Sequence, residues 1–126
     1  MKKLIISLAV AIGALVPALV LAQTSTTGLL SIYVQVLSQG TSYYQYQTYT
    51  PGNFTVAVSG QSPSLTNFPG SQSGTTVTLN PGSYNVTVAN AVNGYAPSYS
   101  VGCNSTIAAG QSQTCVVTMT PTYNYN

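Results

Sequence analysis

Beyond its first 22 residues the chain repeats one pattern: short runs of alternating apolar and polar residues, closed off by Pro-Gly or Asn-Gly. Leu30, Ile32, Val34 and Val36 fall on one face of the first run, with Ser31, Tyr33 and Gln35 on the other. Successive side chains of a strand point to opposite faces, so this is the signature of a half-buried strand. Tyr43 to Thr50 makes a second, tyrosine-rich run, and further runs carry Phe54, Val56 and Val58, then Val77 and Leu79, then Tyr84, Val86 and Val88. Pro51-Gly52, Asn80-Pro81-Gly82 and Asn93-Gly94 read as the turns between them. Gly60 to Gly74 reads as loop, with Leu65 and Phe68 able to plug the edge of a core. The last two runs, Tyr99 to Cys103 and Cys115 to Thr120, bracket a polar loop from Asn104 to Thr114 and read as neighbouring strands with a staple between them. No helical period persists outside the leader. Six or seven short strands at hairpin spacing predict an all-β chain folded as a small antiparallel sandwich.

The first 22 residues are different in kind. Met1-Lys2-Lys3 is a basic start, Leu4 to Val16 is apolar apart from Ser7 and Gly13, and Pro17 breaks the segment before Ala18-Leu19-Val20-Leu21-Ala22. That order is a secretory signal peptide, a hydrophobic helix cut between Ala22 and Gln23. The alternative is a retained membrane anchor or pilin-like helix, since Leu4 to Ala22 comes close to the about 20 residues that span a bilayer. The expected organisation is a leader at 1–22, a polar lead-in at 23–28, a β domain at 29–120 and a Tyr/Asn tail at 121–126. About 100 residues then remain, enough for one small core. Cys103 and Cys115 are the only cysteines. In an exported chain they read most simply as one structural disulfide, worth roughly 3 kcal/mol for a loop of this length. Two free thiols or a metal site are the alternatives, and two thiolates with no His or carboxylate supply only half of a tetrahedral zinc set.

One internal echo stands out. Thr50-Pro51-Gly52-Asn53-Phe54-Thr55-Val56-Ala57-Val58 and Asn80-Pro81-Gly82-Ser83-Tyr84-Asn85-Val86-Thr87-Val88 share the form x-Pro-Gly-x-aromatic-x-Val-x-Val. Two copies are too few for a solenoid, and one turn-and-strand recipe used twice in one sandwich accounts for them.

Three motifs carry a family resemblance: Gly74-Thr75-Thr76-Val77 followed by Gly82-Ser83-Tyr84-Asn85-Val86, the pair Gly94-Tyr95, and Cys103 with Ile107-Ala108-Ala109-Gly110 and Cys115. In this order they resemble the prealbumin-like (SpaA-like) domains of prokaryotic surface proteins over residues 54–120. The resemblance implies an Ig-like seven-stranded sandwich serving as a stalk, adhesin or pilus module. Related modules are often acidic and use a lysine for isopeptide crosslinks in sortase-built pili. Here the only lysines are Lys2 and Lys3, and that crosslinking is not carried over.

Lys2 and Lys3 are also the only charged side chains, for there is no Asp, Glu, Arg or His. General acid–base catalysis needs a group that titrates near the working pH, and a Ser or Thr nucleophile needs a base to activate it. Neither is available, so the expectation is a non-enzyme with no cofactor. Hard cations lack carboxylate ligands and nucleic acid lacks phosphate-neutralising cations, which removes both as partners. With almost no protons to bind, stability is expected to be nearly flat from about pH 2 to about pH 8. That property suits an acidic exterior, or reflects compositional drift in a small secreted domain.

An uncharged surface lacks the repulsion that keeps proteins apart in solution. Glycans are one remedy: Asn53-Phe54-Thr55, Asn85-Val86-Thr87 and Asn104-Ser105-Thr106 are acceptor tripeptides, and strand phase puts Asn53 and Asn85 on the polar face. Assembly is another. Tyr43, Tyr44, Tyr46 and Tyr49 form an aromatic run without a Lys or Pro guard, and Tyr123 and Tyr125 lie on the tail. Such an edge invites strand addition from a neighbour, with Gln23–Leu37 or Thr120–Asn126 as the donor. The other reading of that run is a strand half in the core and half wet. The composition therefore points to a secreted or cell-surface structural protein, self-assembling as a filament, pilus or matrix. A surface adhesin or polysaccharide-binding module, and a pilin-like protein that keeps its leader helix, are the alternatives.

Overall fold

A computed structural model describes residues 25–38, 49–90 and 94–122 of this chain, and eight strands lie among them. Sheet A is four-stranded, with β1 (Gly28–Val36), β4 (Thr75–Leu79), β6 (Tyr95–Tyr99) and β8 (Ser112–Pro121) in the order β4-β1-β8-β6. Sheet B holds β2 (Thr55–Ser59), β3 (Asn67–Pro69), β5 (Gly82–Val88) and β7 (Asn104–Ile107) in the order β3-β2-β5-β7.

The alternation read from the sequence is the alternation that builds the core. Leu30, Ile32, Val34, Val77, Leu79, Val117 and Met119 from sheet A share one buried cluster with Phe54, Val56, Val58, Tyr84 and Val86 from sheet B. Burying each such side chain contributes about 1.5–3 kcal/mol, and a slip of one residue would expose a whole set, which is what fixes the register. The two strands of the echo are the central pair of sheet B: β2 and β5 run antiparallel, with Val56 opposite Val88 and Val58 opposite Val86. Antiparallel pairing sends the aromatic residue of each copy, Phe54 and Tyr84, to opposite ends of the core.

Several sequence expectations are corrected. The fold is not wholly antiparallel, because β1 pairs with β8 in parallel from Leu29 opposite Ser112 to Val36 opposite Met119. Alternation has the same period in both directions, so it carries no information about strand direction. The Gly/Pro turns are also not hairpins between paired strands. Of the consecutive described strands only β2 and β3 pair with each other, and every other connection carries the chain from one sheet to the other. Thus Asn80-Pro81-Gly82 takes it from β4 in sheet A to β5 in sheet B.

Two segments read as loop contain strands. Asn67–Pro69 is β3, which buries Phe68 while Leu65 stays 40% exposed, and Asn104–Ile107 is β7. Conversely, Val101–Cys103 is a 3₁₀ turn rather than the end of a strand, and Val101 is 90% exposed. The segment Gln23–Leu37, considered as a spare donor, instead supplies β1 at the centre of sheet A. The leader with Ala22 and Gln23, Tyr43, Tyr44, Tyr46, Asn93, Tyr123 and Tyr125 lie outside the described residues.

Candidate functional site

The best-defined constellation is a corner where the chain leaves sheet A for sheet B. Cys103 ends the 3₁₀ turn that joins β6 to β7, and Cys115 lies on β8. Their sulphurs are bonded, with the Cα atoms 4.5 Å apart, and both residues are fully buried. The staple therefore fastens the turn between the sheets onto a central strand, rather than joining two adjacent strands.

Polar contacts complete the corner. The Ser100 N–H donates to the Val116 carbonyl at 3.0 Å, and the Val116 N–H donates to Ser100 Oγ at 2.9 Å. The Tyr84 hydroxyl, reaching across from sheet B, donates to the Gly102 carbonyl at 2.6 Å. Burial raises the Tyr84 pKa above its ordinary value of 10.0, because the phenolate would lose its solvation. Gly102 is dictated by proximity: a Cβ there would sit 1.9 Å from the Thr114 carbonyl oxygen. Sequence reasoning found the cysteines but missed Ser100, Gly102 and Tyr84. The glycine immediately before Cys103 was the one available signal.

At the opposite end of the core three rings meet. Tyr49 lies 5.4 Å from Tyr95 and 6.1 Å from Phe54, and Phe54 lies 5.7 Å from Tyr95, centroid to centroid. Edge-on and tilted pairs at these spacings contribute about 0.5–1.5 kcal/mol each beyond burial. Tyr49, expected on a contact surface, is thus partly buried against the core.

Two of the three acceptor asparagines, Asn85 and Asn104, belong to sheet B, and Asn53 ends the 3₁₀ turn that precedes β2. Asn85 and Asn104 sit directly opposite each other on neighbouring strands, and Ser59 flanks Asn85 on its other side. Asn104 is exposed on the edge strand, whereas Asn85 is half-buried between two neighbours. Asn53 is exposed at the head of β2, where its Oδ1 accepts the Thr50 N–H at 2.8 Å.

Among the described residues no group of three or more His, Cys, Asp or Glu could hold a metal ion, and no buried side-chain nitrogen or oxygen lacks a hydrogen-bond partner. The ionisable side chains described are tyrosines. Comparison with known proteins finds no matching family model, no matching curated protein and no matching solved structure.

Proposed function

We propose that this chain is a non-catalytic extracellular structural protein, a subunit of a cell-surface filament or matrix that assembles by strand pairing. The observation that carries the reading is the outer edge of β6, which pairs with no other strand among the described residues. Bonds from Ser100 N–H to Val116 and from Thr122 N–H to Gly94 flank the β6–β8 ladder, so the backbone groups of Ala96 and Ser98 turn toward β8. Those of Tyr95, Pro97 and Tyr99 turn outward, on a strand that is mostly exposed. A strand from a neighbouring copy would find donors and acceptors there, with one donor missing at Pro97.

The other three edges are less open. β3 carries Pro69, and Thr78 of β4 is bonded in both directions by Ser64, at 3.0 and 2.9 Å. β7 spans four residues, and Gln113 meets its Thr106 carbonyl at 3.4 Å. The disulfide fits an oxidising exterior.

The finer fold reading stays a prealbumin-like sandwich, carried by the sequence motifs. The strand order shares only the β2–β5 and β6–β8 pairs with the immunoglobulin constant-type arrangement. An adhesin or polysaccharide-binding role would rest on exposed tyrosine, for which Tyr33 and Tyr99 are the described candidates, at 37% and 40% exposure. Negative-stain microscopy with light scattering, on exported oxidised protein over a concentration series at pH 3 and pH 7, tests the proposal. Regular fibres at both values are expected, and a stable monomer throughout would overturn it.

A further inference from the structure

The two outer faces of the molecule are chemically unlike. Sheet B turns out Thr55, Ala57, Ser59, Asn85, Thr87 and Asn104, and no large apolar side chain. Sheet A turns out Leu29, Tyr33 and Leu37, at 45%, 37% and 44% exposure, four residues apart along its central strand. Leu37 belongs to this stripe because its N–H continues the β1–β8 ladder to the Met119 carbonyl at 2.9 Å. Val116 stands directly beside Tyr33. The Tyr33 ring is laid over Gly74, whose φ of +99° and lack of a Cβ, which would fall 2.6 Å from the ring, allow that position.

The core does not need these residues, since β1 already buries Leu30, Ile32 and Val34 inward. Three large apolar side chains aligned on the outside of a central strand, facing water beside hydroxyls and amides, are what a sheet packed on both faces presents.

We propose that the outer face of sheet A is a docking surface for the same face of a second copy of this chain. The face is self-complementary in the sense a two-fold contact requires: it holds no charge to repel its twin, and its apolar stripe would lie on an identical stripe. Four strands of five to ten residues, at about 4.8 Å between strands and about 3.3 Å per residue, give a face on the order of 20 by 25 Å. A face-to-face pair then removes on the order of 1,000 Å² from water in total, the lower bound for a specific interface. An interface at that lower bound is expected to be weak and reversible, with a Kd on the order of micromolar to millimolar. The most exposed acceptor on a strand points the same way: Asn104 lies on the outer face of sheet B, so a glycan attached there would leave sheet A bare. The inference rests on the structural-subunit reading but uses a sheet face, whereas strand addition uses an edge.

The test places charge on one face or the other of the full chain, exported and oxidised. Sedimentation velocity from about 1 µM to about 1 mM follows the wild type, the double variant Leu29→Arg with Leu37→Arg, and the control Ala57→Arg with Thr87→Arg on sheet B. Wild-type dimers weakened about tenfold or more by the sheet A pair and unchanged by the sheet B pair are expected, because the arginines would be buried without partners. Should the sheet A pair not fold, Thr114→Arg on the same exposed face gives the same readout. A wild type that stays monomeric to about 1 mM overturns the proposal, including one that instead binds a soluble neutral polysaccharide. Equal weakening by both pairs, or by neither, also overturns it. Microscopy of the same samples separates the two contacts: dimers without fibres support the face and count against strand addition, while fibres from a wild type with no sheet A-sensitive dimer do the reverse.

Discussion

Reducing the Cys103–Cys115 bond isolates one term of the stability. The bond spans a sequence separation of 12, for which the chain-entropy model gives about 3 kcal/mol. That term acts on the unfolded chain, so reduction should lower the urea midpoint while leaving the m-value equal or slightly larger, as the released chain exposes more surface. With m near about 2 kcal/mol/M, the midpoint should fall by about 1.5 M. The double variant Cys103→Ala with Cys115→Ala removes the same crosslink and two fully buried sulphurs as well. Taking each sulphur as comparable to a buried methylene adds roughly 1 kcal/mol per site, so the variant should lie a further ~1 M lower. Urea titrations of oxidised, reduced and doubly substituted protein, read by tyrosine fluorescence, measure all three. A drop on reduction of less than about 0.5 M would show that the corner is held mainly by its hydrogen bonds and packing, and would refute the entropy argument.

Gly102→Ala should cost about 3 kcal/mol or more with the disulfide intact, because its Cβ would meet backbone rather than a movable side chain, 1.9 Å from the Thr114 carbonyl oxygen. A Tm within about 5 °C of the wild type would contradict that geometry. The pH dependence follows from the titrating groups. Tyr84 has a raised pKa in the folded state, so its contribution is fully present below its ordinary value of 10.0 and is lost as pH rises through the higher folded value. The Tm should therefore stay within about 5 °C from pH 2 to about pH 8 and fall only in alkali, with Tyr84→Phe reducing the alkaline fall. If the protein is glycosylated, Asn104 should carry the sugar and Asn85 should not, because Asn85 is half-buried between Ser59 and Asn104. Intact-mass analysis of Asn104→Gln and Asn85→Gln reads this directly, and a glycan retained on Asn85 would contradict it.

What the sequence disclosed was each strand's inward face, because burial writes itself as a period of two. Leu30, Ile32, Val34, Val56, Val58, Val77, Leu79 and Val86 were all legible for that reason, and all are buried. Strand direction and partner were not legible, because alternation is the same for either direction and a Pro-Gly turn says only that the chain bends. β3 and β7 escaped because Asn67-Phe68-Pro69 and Asn104-Ser105-Thr106-Ile107 each contain a single large apolar residue, too little to define a period. Val101 misled for a related reason. Its spacing from Tyr99 continues the alternation, but Gly102 lets the backbone fold flat onto β8 and turns the valine outward. The exposed stripe on sheet A was visible as Tyr33 among polar neighbours, but Leu29 and Leu37 joined it only once β1 was seen to start at Gly28 and its ladder with β8 to continue to Leu37.

A chain without charged side chains beyond residue 3 cannot guard its sheet edges with lysine, the commonest device. Its described edges use other means: Pro69 on β3, Pro97 on β6, the Ser64 bonds on β4, and the shortness of β7 with Gln113 beside it. None of these titrates, so they act equally in acid and at neutral pH. Pro97 is the informative member, because it sits in the middle of the most open described edge with its missing N–H on the side away from β8. Pro97→Thr restores that donor without adding charge, on a residue that is already exposed. If β6 accepts a neighbouring strand, the variant should form fibres at a lower threshold concentration, by about fivefold for the roughly 1 kcal/mol that one net hydrogen bond contributes. Light scattering over a dilution series measures the threshold, with Pro69→Thr on β3 as the control for a restored donor elsewhere. An unchanged threshold for Pro97→Thr, or an equal drop for both variants, would mean that β6 is not the accepting edge.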